Sequence, residues 1–205
     1  MGDFMKKKKV NVVFLLDRSG SMARCVSDTI GGYNNYLKEQ RQTKNNVFVS
    51  TILFDNNYEV LHDCVPINKV NDITEKEYFV RGTTALYDAI GKTIDNLDKK
   101  QLDNKVLFII TTDGLENASV KYHKEQIKEL IKGHKKIDFI YVGANIDSYA
   151  EASSIGIKAD FVANYETNKQ GVKKLFKSVA TATESMCDYD FICANWKSDL
   201  EEYDK

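Results

Sequence analysis

Val10 to Leu16 is a short apolar run that ends abruptly in Asp17-Arg18-Ser19-Gly20-Ser21, and a helical pattern begins near Ala23. A run of roughly four to eight β-branched or large apolar residues, closed by Asp, Ser and Gly, reads as a buried parallel strand feeding a turn and then a helix. That turn would lie at the carboxyl end of the strand, the rim on which open α/β sheets bind ligands. One carboxylate and two hydroxyls spaced two apart there suit a functional role. They equally suit a plain turn and an N-cap.

The rest of the chain repeats the alternation. Ile30 to Gln42 has amphipathic helical spacing, Val47 to Phe54 reads as a strand, and Asp55-Asn56-Asn57 turns into a second strand, Tyr58 to Val65. A short helix is expected over Asn68 to Phe79. Thr84 to Leu97 then reads as helix, Lys105 to Thr112 as the central strand and Tyr122 to Lys132 as helix. Ile137 to Val142 follows as strand, Ile146 to Ile155 as helix, Asp160 to Ala163 as a short edge strand and Gly171 to Thr183 as the last helix. Strands alternating with helices of this length imply an α/β, doubly wound, mostly parallel central sheet of about six strands, one of them an antiparallel edge, flanked by helices. The expected organisation is a basic N-terminal tail over 1–8, a single domain over 9–184, and an acidic C-terminal tail over 185–205 packed at least partly on the domain.

Two later stretches bear on the first turn. Gly82-Thr83-Thr84-Ala85-Leu86-Tyr87-Asp88-Ala89-Ile90 opens a helix with a threonine, and Leu107 to Ile110 runs into Thr111-Thr112-Asp113-Gly114. Together, D-x-S-x-S, a threonine before A-L-Y-D-A-I and T-D-G after a strand resemble the metal-ion-dependent adhesion site (MIDAS) of von Willebrand factor A domains. The resemblance spans about Val10 to Glu184 and implies that domain's Rossmann-like fold. It further implies a divalent cation held by the hydroxyls of Ser19, Ser21 and Thr84, with Asp17 and Asp113 binding directly or through water. All five are hard oxygen donors, which favour Mg²⁺, with Mn²⁺ and Ca²⁺ as alternatives. Two carboxylates would roughly neutralise the ion and three neutral hydroxyls would leave it electrophilic, open to an acidic side chain from a partner protein.

Around this rim Asp55, Glu116, Asn117 and Asn145 are candidate partner contacts, although turn formation and solvation are the commoner roles for each. Arg18 fills a spacer position, where an exposed arginine would steer an acidic partner. Asp88, one turn into its helix, is expected to stabilise the helix N-terminus.

A net charge of −1 supplies no global field for nucleic acid or anionic membrane. Lys6 to Lys9 precede too short an apolar run, without a cleavage site, to read as an export signal, and no segment approaches a membrane span. Cys25, Cys64, Cys187 and Cys193 form no C-x-x-C pair, and His62, His123 and His134 are scattered, which fits reduced thiols in a cytoplasmic protein. With no evident general base or nucleophile, the expected role is a non-enzymatic protein-interaction module of a stand-alone bacterial or phage-type domain, an AAA+ ATPase being one conceivable partner. A Mg²⁺-dependent hydrolase or phosphatase is the alternative, weakened because Ser19 stands where a dehalogenase-type phosphatase needs its second Asp. Nucleic-acid binding is a third class, for which no basic stripe with aromatics exists.

Overall fold

A computed structural model describes residues 8–201. The expected basic tail over 1–8 therefore lies outside the described residues except for Lys8, as does the acidic end beyond Glu201.

The strands are β1 (Lys9–Asp17), β2 (Asn46–Phe54), β3 (Tyr58–Pro66), β4 (Lys105–Thr112), β5 (Ile137–Gly143) and β6 (Val162–Asn164). They form one six-stranded sheet in the order β3-β2-β1-β4-β5-β6. Only the β2–β3 pair is antiparallel. The helices are α1 (Val26–Gln42), α2 (Leu86–Lys100), α3 (Lys124–Gly133), α4 (Ser148–Ser154), α5 (Lys169–Tyr189) and α6 (Ser198–Glu201). Strand β1 is central and buried on both faces, so its side chains divide between two cores. Val10, Val12, Phe14 and Leu16 pack with residues of α1 and α5, whereas Val13 and Leu15 pack with residues of α2 and α3. In the first layer Phe14 meets Tyr33 and Tyr36 edge-on, at centroid distances of 5.3 and 4.9 Å. Both phenols are buried and bonded, Tyr33 to Thr51 and Tyr36 to Thr183. Gly32 is required where α1 meets α5, because a Cβ there would lie 2.4 Å from the Phe176 ring.

The parallel β1-β4-β5 order with helices on both faces puts the ends of β1 and β4, and the loops after them, on one rim. The expected helix over Asn68 to Phe79 is absent. A 3₁₀ turn at Ile67–Lys69 is followed by irregular chain up to α2. Distant side chains satisfy the backbone there in place of a helix. Asn34 both donates to the Ile73 carbonyl (2.8 Å) and accepts from its N–H (2.9 Å), and Arg41 donates to the Val70 carbonyl (2.7 Å). Helix α2 begins at Leu86 rather than Thr84, and α5 continues past Thr183 to Tyr189. Beyond it Ile192 and Trp196 are buried against the α1–α5 layer, while Phe191 is exposed and packs on Tyr189.

Candidate functional site

Strand β1 delivers Asp17 at its last position, fully buried. Its Oδ1 accepts the Ser19 N–H at 2.7 Å and its Oδ2 accepts the Thr112 hydroxyl at 2.6 Å, so both oxygens are oriented by neighbouring chain. Its own carbonyl accepts the Tyr78 hydroxyl at 2.6 Å. Ser19 stands at the N-cap of a 3₁₀ turn, Gly20–Cys25, without making a side-chain cap. Its Oγ instead lies 3.0 Å from Ser21 Oγ, and Ser21 Oγ donates to Asp113 Oδ1 at 2.5 Å.

Thr84 arrives from the irregular β3–α2 connection. It is not the cap of α2, a position taken by Ala85. Its backbone is clamped by Asn117, whose Oδ1 accepts the Thr84 N–H and whose N–H donates to the Thr84 carbonyl, both at 3.0 Å. The Thr84 hydroxyl faces Gly114. A Cβ built on Gly114 would stand 3.1 Å from Thr84 Oγ1, 3.3 Å from Ser21 Oγ and 4.0 Å from Ser19 Oγ. The five residues singled out by spacing therefore converge on one point of the rim, and glycine leaves room there. Asp17, Ser19, Thr84 and Asp113 are buried and Ser21 is exposed, so the cluster opens to solvent on one side.

Burial pushes the Asp17 carboxyl up to about 6, against the hydrogen bonds from Thr112 and Ser19 and with help from the Asp113 charge. Burial likewise raises Asp113, against the Ser21 hydrogen bond. Among the described residues neither carboxylate has an ion-pair partner. Two buried carboxylates that oppose each other and lack a basic partner call for a positive charge from outside the chain. No group of three or more His, Cys, Asp or Glu stands ready for a metal among the described residues. The donor set is two carboxylates and three hydroxyls, chemistry that fits a hard divalent cation.

The remaining rim candidates behave differently. Arg18 is not exposed: its side chain is fully buried and turned away from Asp17, with Nε on Asp55 Oδ2 at 2.9 Å and Nη1 against Glu59 Oε2 at 2.8 Å. Asp55 is fully buried too. Neither presents a surface to a partner, because each neutralises the other inside the protein. Glu116 uses its carboxylate on the N–H groups of Tyr87, Ala118 and Ser119, tying the β4–α3 loop to the start of α2. Asn117 and Asn145 are exposed, and Asn145 has a left-handed φ of 58° suited to a turn. Asp88 lies in the first turn of α2, but its carboxylate accepts the N–H groups of Val120, Lys121 and Tyr122, so it clasps the loop after Asp113. Thr112 and Tyr78 were not among the expected site residues. Thr112 is the threonine of the T-D-G run itself, whereas nothing near Tyr78 in the sequence marks it.

No family model matches the chain, and no curated protein matches it. Solved structures do. Proximal thread matrix protein 1 from the mussel byssus superposes with a TM-score of 0.63 at 16% identity, covering 85% of this chain and 46% of that one. The same protein is also described with a zinc-occupied MIDAS motif. A von Willebrand factor type A protein from Catenulispora acidiphila gives 0.63 at 15% identity, over 86% of this chain and 43% of that one. The PilB minor pilin of Streptococcus sanguinis gives 0.65 at 11% identity, over 91% and 64%. The chain thus spans less than half the length of the first two. Strand order, the single antiparallel edge and these superpositions together give the chain the fold of a von Willebrand factor A domain.

Proposed function

We propose that the rim binds a divalent cation through Asp17, Ser19, Ser21, Thr84 and Asp113, and that the protein uses it to recognise a carboxylate on a partner protein. The observation that carries this reading is the convergence at Gly114, where three hydroxyl oxygens surround one point beside two buried, unpaired carboxylates. When bound, the ion supplies a Lewis-acidic point of attachment for an acidic side chain. The protein's own part is to hold the donors. Thr112 fixes the Asp17 carboxylate, the Ser19 N–H fixes its other oxygen, Asn117 fixes the backbone of Thr84, and the glycine at 114 keeps the approach open.

The zinc-occupied motif in the mussel matrix protein supports a divalent ion at such a rim. Here the all-oxygen donor set favours Mg²⁺, with Mn²⁺ and Ca²⁺ as alternatives. A binding role is preferred to catalysis because the histidines are engaged elsewhere. His62 bonds Thr51, His134 bonds Leu130 and Asp98, and His123 stands at the N-cap of α3, where its backbone N–H donates to Gln126. Cys25, Cys64 and Cys193 are free thiols, in keeping with a reducing compartment.

The test is calorimetric titration of EDTA-stripped protein with Mg²⁺ and Mn²⁺, in parallel with Asp17→Ala and Ser19→Ala, followed by capture of partners from lysate with and without EDTA. One-site binding abolished in both variants, with EDTA-sensitive capture of an acidic partner, is the expected result. Saturable binding retained in both variants would place the ion elsewhere and remove the proposal.

A further inference from the structure

Asp17 ends β1, but the hydroxyl donors come from two separate connections. Ser19 and Ser21 follow β1, whereas Thr84 ends the irregular connection between β3 and α2. One buried side chain joins them. We propose that Asp55 is the positioning residue of the cation site, locking the Thr84 loop onto the Ser19–Ser21 loop so that the donors are in register before an ion arrives. The inference rests on the cation-binding reading above and adds the group that aligns its two halves.

Asp55 follows β2, beside the end of β1, and has no exposed surface. Its Oδ2 accepts Arg18 Nε at 2.9 Å and Arg81 Nε at 2.8 Å. Its Oδ1 accepts the backbone N–H of Asn57 at 2.6 Å and the Asn57 side-chain amide at 2.9 Å. With both oxygens doubly occupied, Asp55 cannot itself be a cation ligand. Its two arginines lie one residue before Ser19 and three before Thr84, so a single carboxylate holds both donor loops by their neighbours. The backbone follows the same seam: Ala85 N–H donates to the Asp55 carbonyl (3.0 Å), Arg81 N–H to the Arg18 carbonyl (2.9 Å), Gly20 N–H to the Gly82 carbonyl (3.3 Å) and Arg18 N–H to the Phe54 carbonyl (2.8 Å). Gly82 has a φ of +66°, and a Cβ there would come within 1.9 Å of the Asn56 amide oxygen, so the connection is pressed onto the β2–β3 turn.

The chemistry requires a carboxylate. Arg18 and Arg81 are permanently charged, and Phe79 lies against both guanidinium groups, at 5.5 and 5.3 Å. An amide at 55 would keep one acceptor oxygen for four donors and leave buried Arg18 with only half-exposed Glu59 as counter-charge. The irregular chain from 70 to 85 would then be free to shift Thr84 away from Ser21. Removal of such an outer support characteristically weakens ion affinity by about 10- to 100-fold.

The experiment is Mn²⁺ titration of the full chain, read by calorimetry and by the electron paramagnetic resonance of free Mn²⁺. It compares wild type, Asp55→Asn, Arg81→Gln, Thr84→Ala and the Asp55→Asn/Thr84→Ala double variant, with unfolding in EDTA measured for each. Asp55→Asn is expected to weaken Mn²⁺ binding by roughly tenfold or more, and Arg81→Gln by less, while both still unfold cooperatively. Because Asp55 acts through Thr84, its substitution should add little once Thr84 is alanine. Arg81 is partly exposed, so Arg81→Gln carries the test if Asp55→Asn does not fold. Wild-type affinity in Asp55→Asn or, failing that, in Arg81→Gln, or full additivity with Thr84→Ala, overturns the positioning role while leaving the cation site intact. Absence of Mn²⁺ binding in wild type removes the cation reading itself.

Discussion

Thr112 donates its hydroxyl to Asp17 Oδ2 at 2.6 Å across 95 residues of chain, joining the ends of the neighbouring strands β4 and β1 at the rim. The bond opposes the burial that drives the Asp17 carboxyl toward its neutral form, and it fixes the direction of one oxygen. Thr112→Val keeps the shape and deletes the donor. A cost of about 1–3 kcal/mol is expected in urea unfolding with EDTA, the range for a buried hydrogen bond to a charged group. Mn²⁺ affinity should fall several-fold in calorimetry, and unchanged affinity would show that Asp17 needs no tether.

Gly114→Ala tests the donor cluster without touching a donor. Among the described glycines only Gly82 and Gly156 have positive φ, so Gly114 does not depend on a left-handed backbone. The new methyl would meet Thr84 Oγ1 at 3.1 Å and Ser21 Oγ at 3.3 Å, inside ordinary contact distance. Thermal unfolding should change by less than about 1 kcal/mol, since the cluster borders solvent. Cation binding should weaken by roughly tenfold or more as the hydroxyls are pushed apart. Equal affinity in the variant and wild type would mean that the three hydroxyls do not share an ion.

How much of this was legible in sequence depended on where each residue's partners lie. Strands β1 and β4 are buried on both faces, so their apolar runs announce themselves, and Lys105–Thr112 has the span that the run implies. That the five candidate residues would meet on one rim was legible because each lies at or just beyond a strand end, or ahead of a helix. The segment from 70 to 85 was not. Its backbone bonds go to Asn34 and Arg41 in α1, and to Asn117 after β4, none of which local periodicity can find. Arg18 was misplaced for the same reason: a charged residue in a loop reads as exposed unless Asp55, 37 residues on, is known to meet it. Asp88 has the position of a helix-dipole residue, and only the folded loop reveals that its oxygens are committed to Val120, Lys121 and Tyr122.

That commitment makes Asp88 a source of pH dependence. Burial pulls its carboxyl upward, but the three backbone N–H groups outweigh it and hold it below the usual carboxylate range. A carboxyl lowered in the folded state contributes stability above its unfolded value of about 3.9, and this is lost as pH falls through the folded-state value. The difference in urea midpoint between wild type and Asp88→Asn should therefore be constant from about pH 7 to pH 5 and shrink below about pH 4. Asp55, lowered in the same sense, is common to both proteins and cancels. A difference that persists undiminished at about pH 3 would assign the effect to shape rather than charge.

Trp196, the only tryptophan, offers a direct reading of how firmly the segment after α5 is held. Its side chain is 1% exposed within the α1–α5 layer, and Nε1 donates to the Asp160 carbonyl at 2.8 Å. Lys197 adds bonds from Nζ to the carbonyls of Ala159 (3.2 Å) and Val162 (3.0 Å), fastening the segment beside β6. Trp196→Ala should cost about 3–5 kcal/mol, the range for emptying a large aromatic site. Trp196→Phe should cost less, losing the indole bond and part of the volume. In wild type the fluorescence of Trp196 and the far-ultraviolet circular dichroism should report one coincident urea transition, because the indole belongs to the same buried layer as Phe14 and Tyr36. A fluorescence change at lower urea than the loss of helix signal would show that the segment detaches first, and the cost of Trp196→Ala would then fall well below this range.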